Sequence, residues 1–201
     1  NEANLSALAE KTFVENHKNL IHVSIHAGVG AGIILDHHLY TGLAGTAGEA
    51  GHMIVQPGGR SCPCGNHGCL EQYISEPAVL SRYRELSGRT TVSIDDLVWS
   101  YNQKEADALA VVDEFTTYLA CGINNLWNLF SPECIILNSQ LTAYLPQLLP
   151  EILQKLSPRF RATCHLKLST LQDTGVLLGA AKVCISKYLG TEKLYFSGLQ
   201  P

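Results

Sequence analysis

The spacing of apolar and polar positions divides this chain into a meander of short strands, a helical middle and an alternating end. Leu5, Leu8, Ala9 and Thr12 recur at helical spacing and predict a helix over residues 1–16. The run LIHVSIHA (20–27) predicts a buried strand, a glycine turn follows, and AGIILD (31–36) runs onward with HHLYTG (37–42) as its return. Between Gly42 and Gly68 glycine is dense enough to read as loop, interrupted by a candidate strand over residues 52–55.

From Pro77 the pattern turns helical, with helices expected over 77–86, 94–102 and 105–130. The last part alternates: ECIILN as a buried strand, a helix over 144–156, CHLKLST as a second strand, and GVLLGAAKVCISKYL as a closing helix. A strand meander followed by βαβα predicts an α/β lobe whose mixed sheet is flanked by helices. The tail over 191–201 carries no structural signal.

Composition narrows the classes. With 201 residues and 46% hydrophobic positions, the chain is long enough for one substantial core. A net charge of -4 and no run of basic residues argue against this segment gripping DNA. No apolar stretch reaches the ~18 residues of a membrane span, and the opening residues are not signal-like. Because the chain opens at Asn1 inside a helical pattern, we expect it to be a piece lacking an N-terminal part.

Seven cysteines, an odd number, fall unevenly: Cys62, Cys64 and Cys69 crowd together, whereas Cys121, Cys134, Cys164 and Cys184 are scattered through apolar segments. That usage fits metal binding and buried thiols in a reducing cytoplasm better than a disulfide framework. In GEAGHMIVQPGGRSCPCGNHGCLE, the spacing Cys-X-Cys-X4-Cys supplies three thiolates, and His52, placed at a strand edge, completes a tetrahedron for Zn²⁺. Four protein ligands leave no open position, so such a site is structural. His67, inside the loop, is the alternative fourth ligand.

Two further segments invite functional readings. In SIHAGVGAGIIL, Gly28, Gly30 and Gly32 would let backbone approach a phosphate, yet HAGVGAG holds no hydroxyl, lysine or arginine. It reads as a retained scaffold turn, with protonated His26 the remaining candidate for holding a phosphate. RYRELSGRTTVSIDDLVWSYNQ has a helix-turn-helix rhythm, but Asp95 and Asp96 stand where groove-reading residues belong and suit a helix start instead.

The stretch Gly48-Glu49-Ala50-Gly51-His52, followed by CPCGNHGCLE, resembles the signature of the ROK family of repressors, open reading frames and kinases. The resemblance covers nearly the whole chain, from NEANLSALAE to DTGVLLGAA. It implies an actin-like (ribonuclease H-like) sugar-kinase fold, with residues 1–190 as the C-terminal kinase-like effector domain and a zinc loop at 52–71. It also implies that the family's N-terminal lobe and winged helix-turn-helix lie outside the chain.

By the same resemblance Asn1, Glu49, His52 and Glu71 line a sugar pocket, with Glu2 at the position of the kinase base. If one nitrogen of His52 holds zinc, the other is fixed toward a sugar hydroxyl. Three departures argue against efficient phosphoryl transfer. Asn1-Glu2 replaces Asn-Asp, moving the carboxylate by one methylene; His26-Ala27-Gly28 replaces Gly-Thr-Gly; and Asn138-Ser139-Gln140-Leu141 replaces a glycine pair or triplet. The expectation is a sugar-sensing, dimerising effector domain of a transcriptional repressor, cytoplasmic, forming a homodimer or tetramer, with operator DNA bound by the absent domain. Trp127 and Phe130 on the long helix are either dimer anchors or core. A sugar kinase and a docking module for a sugar-transport protein are the alternative readings.

Overall fold

The structure is a computed structural model describing residues 1–191. A five-stranded mixed sheet is built from β1 (Leu20–Ile25), β2 (Val29–Leu35), β3 (His38–Tyr40), β4 (Cys134–Ser139) and β5 (His165–Leu168), in the order β3-β2-β1-β4-β5. The first three strands form the antiparallel meander, and β4 and β5 add in parallel to β1. Parallel neighbours need crossover connections, and helices supply them.

Side chains alternate between the two faces with the period of two that strands impose. Ile21, Val23, Ile25, Ala31, Ile33, Ile135 and Leu137 enter the larger core. That core is closed by α3 (Glu76–Ser87), α4 (Ile94–Asn102), the long α5 (Ala106–Phe130), α6 (Gln140–Tyr144), α7 (Leu148–Lys155) and α8 (Pro158–Thr163). Leu20, Ile34, Cys134 and Ile136 face the other way, toward α1 (Glu2–Phe13).

On that second face the helix lies unusually close. A Cβ added to Gly32 would stand 2.2 Å from the Ala3 carbonyl oxygen and 2.4 Å from Ala7 Cβ. The closing helix α9 (Thr174–Leu189) packs on α1 in the same manner, with Gly179 facing the backbone of Leu5 at 2.0 Å from an added Cβ. Small residues at these points bring three layers of backbone together.

The first helix therefore differs from expectation. It ends at Phe13 and buries Ala3, Ser6, Ala7, Ala9 and Glu10, while Leu5 and Leu8 are only half-buried. Close backbone approach rewards small side chains, which hydrophobic spacing alone does not reveal. The strand expected over 52–55 is not formed: residues 50–52 make a 3₁₀ turn, and Ile54 only bridges Cys69.

The helix expected over 144–156 is two helices, α6 and α7, parted at Leu145-Pro146-Gln147, where a proline follows a residue outside helical geometry. The short α8 was not anticipated; Ser157 caps it and Pro158 opens it. The segment weighed as a helix-turn-helix ends α3 at Gly88 in left-handed geometry and starts α4 with a capping box between Ser93 and Asp96. Trp127 is core: it is 8% exposed and meets Phe160 edge-on at 5.7 Å. Phe130 is partly buried against the same core. The tail expected over 191–201 lies outside the described residues except for Thr191. No helix among the described residues is long and apolar enough to cross a membrane.

Candidate functional site

The hairpin between β1 and β2 is the short tip His26-Ala27-Gly28; Gly30 and Gly32 belong to β2 itself. Crowding requires glycine at Gly32, under α1, whereas Gly30 has room for a methyl group. At Gly30 an added Cβ would meet Ala3 Cβ at 3.4 Å and the Gly48 carbonyl oxygen at 4.0 Å. Gly30 and Gly32 thus lie along a strand rather than in a turn, and of the two only Gly32 is held to glycine by packing.

Gly48 and Gly51 explain how the next segment is held. Gly48 has φ +87 and accepts the Ala31 N–H at 2.7 Å, and an added Cβ on Gly51 would lie 2.4 Å from the Val29 carbonyl oxygen. Glu49 is exposed between them, and His52 closes the 3₁₀ turn half-buried. Glu71 opens the one-turn α2 (Glu71–Ile74) and accepts the Val29 N–H at 3.0 Å. Asn1 caps α1, its Oδ1 accepting from Ala3 N at 2.9 Å, and Glu2 stands exposed in the first turn.

The start of β2 therefore gathers the segment carrying Glu49 and His52, the Glu71 carboxylate and, through Ala3, the beginning of α1. Beside the hairpin, His26 Nδ1 lies 3.6 Å from Glu76, whose N–H donates to the His26 carbonyl at 2.9 Å. At the end of β4, Asn138 and Ser139 are buried and the Asn138 amide donates to the Gln172 carbonyl at 3.4 Å.

His52, Cys62, Cys64 and Cys69 converge so that one ligand atom from each lies within 4.8 Å of all the others. Cys62 Sγ is 3.6 Å from His52 Nδ1, and Cys64 Sγ is 3.7 Å from Cys69 Sγ. A tetrahedral ion with metal–sulfur bonds of about 2.3 Å has edges of about 3.8 Å, so the group could hold a metal ion. Left-handed glycines shape the loop, Gly65 at φ +94 and Gly68 at φ +83, and an added Cβ on Gly68 would strike the Gln56 carbonyl oxygen at 1.7 Å.

Burial and the neighbouring thiols push the Cys69 thiol up to about 12, while hydrogen bonds, led by the Asn66 backbone, lower Cys64. Three thiolates at these separations repel one another, and a bound cation is what would let them ionise together. His67 is exposed and outside the cluster; it bridges Ser61 instead, closing the loop.

Gln72 escaped the sequence reading. Its side-chain amide donates to Cys62 Sγ at 3.6 Å. Its place three residues beyond the last cysteine, on the first turn of a helix, was the available signal. The close approach of Gly48 and Gly51 to β2 was likewise hidden in a segment that read as loop.

A family model described as ROK family matches residues 1–187. The xylose repressor of Bacillus spizizenii is 34% identical over 200 residues, covering 96% of this chain and 52% of that protein. The glucokinase of Halalkalibacterium halodurans is 31% identical over 200 residues, covering 89% of this chain and 61% of that one. Among solved structures, a ROK family transcriptional regulator, a homolog of the E. coli MLC protein, superposes with a TM-score of 0.77 at 31% identity. That match covers 90% of this chain and 50% of that one. The chain spans about half the length of the xylose repressors it matches.

Proposed function

Since the chain belongs to the ROK family, we propose that residues 1–190 are the sugar-sensing effector part of a transcriptional repressor of carbohydrate metabolism. The observation that carries this reading is the gathering of Glu71 and the Glu49–His52 segment on the start of β2, beside a hairpin tip without a phosphate-binding hydroxyl. Likeness to xylose repressors supports it and makes xylose the first sugar to test.

In this reading Asn1, Glu49, His52 and Glu71 hydrogen-bond the sugar's hydroxyls. A site built from such groups rejects ligands that leave its polar atoms unpaired. Zn²⁺ suits the ligand set His52, Cys62, Cys64 and Cys69, and when bound it supplies cohesion to the loop rather than a reactive centre. With His52 Nδ1 turned to the ion, Nε2 is left to face the sugar. The Glu71 carboxylate keeps an oxygen for a hydroxyl beside the one committed to Val29.

Sugar binding shifts a repressor only by favouring one of its conformations. In this reading the whole protein, as a homodimer or tetramer in the cytoplasm, holds operator DNA through a domain outside this chain. The test is fluorescence anisotropy of the full-length protein on labelled DNA from upstream of its own gene. Release on adding xylose or another sugar is expected; DNA binding unaffected by every sugar that the protein binds contradicts the reading.

A sugar kinase is the second reading, favoured by the likeness to a glucokinase and by the Glu2 carboxylate in the first turn of α1. The side chains of Asn138 and Ser139, buried where kinases of the family carry glycine, weigh against it. A docking role toward a sugar-transport protein would leave the polar residues at the start of β2 without a task.

A further inference from the structure

The base of the metal loop is tied to the long helix α5 by an arrangement that metal binding alone does not require. Arg60, two residues before Cys62, donates through Nη1 to the Gln72 carbonyl at 2.8 Å and through Nη2 to Glu114 Oε1 at 2.5 Å. Glu114 lies on α5, and its other oxygen accepts from Arg82 Nε of α3 at 3.1 Å. The Arg60 guanidinium sits 4.6 Å over the Tyr73 ring, which stacks on Tyr118 of α5 with centroids 4.0 Å apart.

The loop's backbone is gathered at the same point. Arg60 N donates to the Tyr73 hydroxyl at 3.0 Å, and the Arg60 carbonyl accepts from Gly68 N at 2.7 Å. The two ends of the cysteine hairpin are thereby joined. Gln72 contributes twice: its carbonyl receives Arg60, and its side-chain amide reaches Cys62 Sγ at 3.6 Å.

We propose that Gln72 and Arg60 are positioning residues for the metal, Gln72 orienting the Cys62 sulfur and Arg60 carrying the hold of α5, through Glu114, to the loop. Glu114 then tunes metal affinity from a helix that supplies no ligand. Groups that orient metal ligands typically alter affinity by about 10- to 100-fold when removed. Half-buried ion pairs, shielded from bulk water, keep more of their strength than exposed ones.

This inference rests on the metal reading above, and the experiment separates the two. Full-length protein is titrated with Zn²⁺ against a chromophoric chelator, and its Co²⁺ form is followed through the thiolate charge-transfer band. Failure of the parent protein to bind either ion overturns the metal reading and this inference with it.

With the parent binding, Gln72→Leu and Glu114→Gln are expected to weaken Zn²⁺ by about tenfold or more, and Gln72→Leu to shift the Co²⁺ band. Glu85→Gln, which touches only the exposed side of Arg82, leaves affinity unchanged. Arg60→Lys keeps charge and stem but loses the fork; it guards against a variant that fails to fold. Affinities of Gln72→Leu, Glu114→Gln and Arg60→Lys all within threefold of the parent overturn the inference even where their thermal stability falls.

Discussion

Glu71 accepts the N–H of Val29 at 3.0 Å, fastening the helix after the cysteine loop to the first residue of β2. The same oxygen stands 3.0 Å from the place of a Cβ on Gly28. The loop that gathers the cysteines and the hairpin that turns the sheet are thus joined through one carboxylate. In the proposed function that carboxylate also meets the sugar.

Glu71→Ala strands the buried Val29 N–H and is expected to cost about 1–3 kcal/mol. Glu71→Gln retains an acceptor and costs under about 1 kcal/mol. Both abolish or strongly weaken sugar binding if the charge contacts a hydroxyl. Urea denaturation separates the first effect and calorimetry the second; sugar affinity unchanged in Glu71→Gln removes this residue from the pocket.

Gly32→Ala drives a methyl group into the Ala3 carbonyl oxygen and Ala7, so α1 must lift from the sheet. A loss of about 2–3 kcal/mol or more is expected, the upper end of overpacking costs. Gly45→Ala, with open space around it but φ +81, costs only the backbone strain of about 1 kcal/mol. Comparable denaturation midpoints for the two variants contradict the packing described for α1.

His22 is 1% exposed on the sheet face that carries α1, and neither ring nitrogen has a hydrogen-bond partner among the described residues. Burial lowers its pKa to about 4 from the model-compound 6.5, with the His26 charge adding to the effect. The unfolded chain therefore binds the proton more readily, and stability present above pH 6.5 is lost as pH falls toward 4. Between pH 7 and pH 5 the loss is about 2 kcal/mol. Glu10, buried on α1 with its carboxyl raised by desolvation, acts in the opposite sense as the solution is acidified. Comparison of wild type with His22→Leu isolates the histidine; equal pH slopes in the two proteins refute it.

Removing the metal is expected to loosen the loop and leave the sheet intact. The cysteine loop makes no strand with β1 to β5, and although Leu70, Tyr73 and Ile74 at its end enter the larger core, most of the residues in the two cores come from the strands, α1 and α3 to α8. Hydrogen exchange after chelation should rise over residues 53–72 and little in β1 and β4. Cys64→Ser should reproduce that pattern, and protection unchanged over the loop in both cases contradicts a metal-organised loop.

The order of elements was legible in the sequence because strands and long helices bury whole faces, and burial writes periodicity into the chain. The cysteine cluster was legible because its ligands lie close in sequence. What escaped has a common cause. The alanine face of α1, the strand glycine Gly32, and the seating of Gly48 and Gly51 depend on backbone approach between distant segments, which no local pattern records. The break at Pro146 and the capped start of α8 were local signals, Ser157-Pro158 above all, that hydrophobic spacing overrode.

Calorimetry of the full-length protein decides whether it binds a sugar without transferring phosphate to it. Xylose and other common sugars are titrated with and without ATP and Mg²⁺, and products are followed by mass spectrometry. A sugar is expected to bind with an affinity indifferent to ATP and to leave unmodified. A phosphorylated sugar formed at ordinary kinase turnover, about 1–100 per second, would contradict that expectation.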